Sequence, residues 1–112
     1  MWLCTKYGFY SIVQKQPGEF HIRARIKRDL ENLKTVTEIK RRILVTEDAD
    51  YRYRMVVNEV EVMVAMAVLA QTLNYPNFKA EIGKAEDQRE KLTAYHEIWR
   101  LMAGFQRAPG KK

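Results

Sequence analysis

Five basic side chains recur at strand spacing in this sequence. His21, Arg23 and Arg25 alternate along residues 20–26, and Arg52 and Arg54 alternate along 51–57. Residues two apart on a strand point the same way, so each group shares one face. Guanidinium forks match the paired oxygens of a carboxylate or phosphate. These five residues are therefore candidates for binding an anion. The commoner meaning of such a pattern is a solvated face, since antiparallel sheets usually keep one face polar.

A second set of polar side chains lies in the last third. Tyr75 and Lys79 follow a helix breaker, and His96 sits beside Tyr95 and Trp99 on the final helical segment. Tyrosine, lysine and histidine do acid–base work when their environment tunes them. Tyr75, Lys79 and His96 become interesting only if they converge. Tyr95 and Trp99, with Leu92 and Met102, follow helical spacing and are expected in the core.

Several chemistries lack their residues. Cys4 is the lone cysteine, so no internal disulfide or cysteine-pair metal site forms. Two histidines are too few for a histidine-rich metal site. Asp48 and Asp50 read as an acidic turn. Phosphate-loop, dinucleotide, zinc-protease and serine-hydrolase motifs are missing. No cofactor is expected.

The chain has 112 residues, a formal charge of +6, 46% hydrophobic and 30% charged residues. That suits one globular domain, expected over 1–106, with a flexible basic tail over 107–112. Residues 1–58 hold 12 of the 20 Lys and Arg against 7 of the 14 Asp and Glu, so the positive excess sits in the first half. The longest apolar run, Val62 to Ala70, is too short for a membrane span. With no leader-like start, a cytoplasmic location is expected.

The elements that must position the basic residues are strands. Residues 3–14 alternate as one strand, Gln16-Pro17-Gly18-Glu19 is a turn, and Phe20, Ile22, Ala24 and Ile26 form the apolar face of the return strand. Asp29 is a candidate cap for a short helix. Residues 37–46 fit either strand or helix. Tyr51, Tyr53, Met55 and Val57 face a core, opposite Arg52 and Arg54. Asn58 and Glu61 form a capping box for a helix reaching Leu73, apolar on most sides and expected to be buried. A last helix covers 86–102. This order predicts an α+β, two-layer sandwich: an antiparallel sheet with helices on one face, ferredoxin-like or a variant of it. Tyr10 is placed on the basic face, and the other aromatic residues mostly oppose it, which weakens the case for a base-stacking sheet.

The runs Trp2 to Val13, Ile22 to Arg25, Asp50 to Arg54 and Asn74 to Lys79, ahead of Tyr95-His96 and Trp99, resemble a family of small uncharacterised bacterial proteins. The resemblance spans most of the chain. It implies a bacterial or phage cytoplasmic protein and no particular activity. The residues favour a non-enzymatic binding domain whose basic face meets an anionic ligand or nucleic acid. A homodimer with its arginines neutralised across the interface is the alternative. A small enzyme using Tyr75, Lys79 and His96 on an anionic substrate is a third.

Overall fold

The computed structural model describes residues 1–106, so the expected tail over 107–112 lies outside the described residues. They fall into two compact units, the first Met1–Asn74 and the second beginning at Tyr75.

The first unit holds five strands and two helices. The strands are β1 (Trp2–Cys4), β2 (Phe9–Gln16), β3 (Glu19–Ala24), β4 (Leu44–Val45) and β5 (Tyr53–Val57). The helices are α1 (Lys27–Thr37), between β3 and β4, and α2 (Glu59–Gln71), after β5. The strands form one antiparallel sheet in the order β1-β2-β3-β5-β4. Because β5 lies antiparallel between β3 and β4, β3–α1–β4 is a split βαβ unit. β5 and α2 complete it, and β2 occupies the flank that the last strand takes in the usual ferredoxin-like order. The predicted α+β sandwich is thus present, with its opening strands placed ahead of the split unit.

The start of the chain is a hairpin rather than one strand. Thr5 Oγ1 accepts from the backbone N–H of Tyr7 and Gly8, each at 3.1 Å, and the Thr5 and Gly8 backbones bond to each other. This turn restarts the alternation. Tyr10 and Ile12 face the core with Ile22, Ala24, Met55 and Val57, and α1 and α2 supply Leu30, Leu33, Ala65 and Leu69. Tyr10 is therefore not on the basic face: it is fully buried, and its hydroxyl donates to the Asp29 carbonyl at 2.6 Å.

Asp29 is not the cap of α1. Ile26 holds that position, and Asp29 lies inside the first turn, buried, accepting from the Phe9 N–H at 3.1 Å. A carboxylate there complements the helix dipole and ties α1 to the start of β2. The helix stops at Thr37, because Glu38 turns left-handed at φ 60°. Of the ambiguous stretch, Leu44–Val45 alone is strand.

The capping box of α2 is present: Asn58 Oδ1 accepts from Glu61 N–H, and Glu61 Oε1 accepts from Asn58 N–H, both at 2.9 Å. The hydrogen bond and charge of Arg41 hold the Glu61 carboxyl below the usual carboxylate range. A carboxylate with a lowered folded pKa stabilises the fold above its unfolded pKa, and that contribution disappears as pH falls through the folded value. Asn58→Ala should therefore cost about 1 kcal/mol at neutral pH. Glu61→Gln should destabilise at neutral pH, with the difference from wild type closing below the ordinary carboxylate range. Urea midpoints measured across that range check both.

The burial expected for α2 is only partial. Ala65 and Leu69 are buried, while Val60, Met63 and Val64 are exposed. In the second unit, α3 (Phe78–Lys84) is capped by Asn77, and α4 (Leu92–Ala103) follows a single 3₁₀ turn over Arg89–Lys91. Its core is Ile82, Gln88 and Tyr95, with Phe78 tilted against the Tyr95 ring at 5.1 Å. Trp99 is not core: it is 59% exposed. α3 meets α4 through Phe78 and Tyr95, and Ile98, Trp99, Leu101 and Met102 lie outside that contact. Trp99→Ala should accordingly cost no more than about 1 kcal/mol, the most that an exposed contact with Lys79 contributes. Chemical denaturation reads it.

Candidate functional site

The face of the sheet opposite the core is set by β3. Its alternation puts Ile22 and Ala24 into the core and leaves His21 and Arg23 on the opposite side. The register then aligns one residue from every strand: Trp2 opposite Ser11, Ser11 opposite Arg23, Arg23 opposite Arg54, Arg54 opposite Leu44. Paired residues share a face. Two arginines stand directly across from each other in this row, a like-charge arrangement that disfavours the fold.

What holds them is mostly neutral. Arg23 donates through Nη2 to Ser11 Oγ at 2.7 Å. Arg54 Nη1 donates to His21 Nδ1 at 3.2 Å. With Nδ1 accepting, the ring proton of His21 lies on Nε2, which donates to Glu19 Oε2 at 3.0 Å. The Tyr51 ring lies near both the Arg23 guanidinium, 4.6 Å from its centroid, and that of Arg25, at 4.5 Å. Arg25 also donates to the Asp50 carbonyl at 3.1 Å. Among the described residues neither Arg23 nor Arg54 has an ion pair partner, and the Nε–H of each is buried without an acceptor. A buried donor left unmatched costs about 1–3 kcal/mol.

His21, Arg23, Arg25 and Arg54 therefore converge. Arg52 does not join them through any contact: its guanidinium lies 3.6 Å from Glu47 and is half exposed. Tyr51 is the residue the alternation misplaced. Regular pairing begins only at Tyr53, so the ring is free of the strand's parity and lies with the arginines. Its signal in the sequence is the acidic turn just ahead, which ends the regular pattern.

Of the secondary candidates, Lys79 and His96 meet, within the second unit. Lys79 Nζ lies 3.3 Å from His96 Nδ1 and 4.9 Å from the Trp99 ring centre, and the His96 and Trp99 rings stack at 5.7 Å. Tyr75 is set against Phe78 at 6.4 Å. His96 and Trp99 are exposed, so this group lacks the exclusion of water that sharpens acid–base chemistry.

A shallow groove elsewhere in the first unit is lined by Lys34, Thr35, Glu38, Ile39, Lys40, Arg41 and Arg42. It is basic, yet Arg41 is neutralised by Glu61 at 2.8 Å and Glu38 lines the same wall. Cys4 is exposed, and desolvation pushes its thiol pKa up, which disfavours the nucleophilic thiolate. Among the described residues no three metal-ligating side chains gather, and no helix is long and apolar enough to cross a membrane. Comparison of the chain with family models, curated proteins and solved structures finds no match.

Proposed function

We propose that this chain is a binding domain for an oxyanion, carried by a phosphate or carboxylate, on the arginine face of its sheet. The observation that carries the reading is the facing pair Arg23 and Arg54, held without a carboxylate partner among the described residues. An anion set against the two forks offsets the repulsion between them. Arg25 completes the positive rim, the neutral His21 ring steadies Arg54, and Ser11 and Tyr51 are positioning residues that fix the forks. The cluster offers donors and no nucleophile hydrogen-bonded to a base, which favours binding over catalysis.

The test is calorimetric titration with inorganic pyrophosphate at low salt. Binding to wild type, with at least tenfold weaker binding to Arg23→Gln/Arg54→Gln, supports the reading. Equal affinity of the two proteins overturns it. Sedimentation of the same samples reads the homodimer alternative, in which a second copy supplies the acceptors. There the double substitution would change the oligomeric state of the unliganded protein.

A further inference from the structure

The row that carries the arginines begins with an aromatic ring. Trp2 stands in β1 opposite Ser11, which stands opposite Arg23. It is 71% exposed. Tryptophan offers more apolar area than any other side chain, and leaving it in water on a sheet surface forgoes the burial that usually accounts for it. The ring is not loose: Phe9 meets it edge-on, with centroids 6.0 Å apart and planes at 62°. Phe9 belongs to the same face, two residues before Ser11 and paired with Cys4. The turn at Thr5–Gly8 brings both rings to the arginine side, by the same restart of alternation that sends Tyr10 into the core.

Neighbouring strands lie about 4.8 Å apart, so Trp2 is about 10 Å from Arg23 along the row and about 14 Å from Arg54. An exposed ring, with two partly exposed guanidiniums beyond the buried Ser11, combines the two features that single-stranded nucleic acids require, a stacking platform and a basic track for the backbone. A bare phosphate uses only the second. Tyr51 does not serve as a platform, because two guanidiniums already lie over its ring.

We infer that the ligand of this face is single-stranded nucleic acid, crossing the strands with a base stacked on Trp2 and the following phosphates on Arg23 and Arg54. The inference rests on the oxyanion reading above and adds the base.

Trp2 and Trp99 are the two tryptophans, so a Trp99→Phe background isolates the fluorescence of Trp2. The probes are a thymidylate 12-mer, a uridylate 12-mer and inorganic pyrophosphate. The expected result is saturable quenching of Trp2 by at least one oligonucleotide. Trp2→Leu should weaken that binding about tenfold, the loss of one base stack, and leave pyrophosphate affinity within about twofold. Trp2→Phe, which keeps a ring, should recover most of the loss. The relative affinity of the two oligomers tells RNA from DNA as the source. If pyrophosphate binds but neither oligonucleotide quenches Trp2, or if Trp2→Leu binds them as wild type does, the nucleic-acid inference is overturned while the oxyanion reading stands. If no probe binds, both fall.

Discussion

Tyr10→Ala should destabilise the protein by about 4 kcal/mol, the middle of the range for deleting a large buried aromatic ring. The side chain is wholly inaccessible and packs with Ile12, Ile22 and Leu30 in the core. Its hydroxyl donates to the Asp29 carbonyl at 2.6 Å. Tyr10→Phe separates ring from hydroxyl. It keeps the packing and orphans the acceptor, at a cost of about 1 kcal/mol. Urea unfolding of both variants measures the split. If Tyr10→Ala lost less than about 2 kcal/mol, the ring would not face the helices, and the parity of the whole first hairpin would be wrong. Trp2 and Phe9 would then leave the arginine side as well.

Gly8→Ala should cost about 3 kcal/mol, although it adds a single methyl. A β-carbon at position 8 would overlap the Cβ and Cγ of Asp29. That carboxylate is buried and accepts from the Phe9 N–H. It cannot retreat without abandoning that donor. The cost combines overpacking, about 1–3 kcal/mol, with an unmatched buried donor of similar size. The backbone at Gly8 has no positive φ, unlike Gly18 at φ 80°, so lack of space rather than conformation excludes alanine. A loss under about 1 kcal/mol would show that β2 and α1 are not joined through this contact.

The return strand and the α2 cap were legible from local rules. Phe20 to Ala24 alternates without interruption, and Asn58 with Glu61 is a reciprocal motif in four residues. The faces of the first strand were not legible. A run from Leu3 to Val13 that alternates throughout hides a turn whose marker is a threonine bonding two backbone N–H groups. One skipped turn inverted Tyr10 and concealed that Trp2 and Phe9 stand beside the arginines. Asp29 and Trp99 failed for a different reason. Both fit a local pattern, a helix cap and a helical stripe, and both were decided by what packs against them. Convergence of His21, Arg23, Arg25 and Arg54 followed from strand parity once β3 and β5 paired. Tyr51 did not, since it precedes the regular ladder, and neither did the loss of Arg52 to Glu47.

If Arg23 and Arg54 share an anion, their side chains report it directly. Their Nε–H groups are buried, so they exchange slowly with water and are observable by arginine side-chain nuclear magnetic resonance during a titration with inorganic phosphate. The two Nε–H resonances should shift together and saturate at one common concentration, while those of Arg89 and Arg100 in the second unit stay in place. Unmoved Arg23 and Arg54 resonances, or a drift shared equally by every arginine, would contradict it.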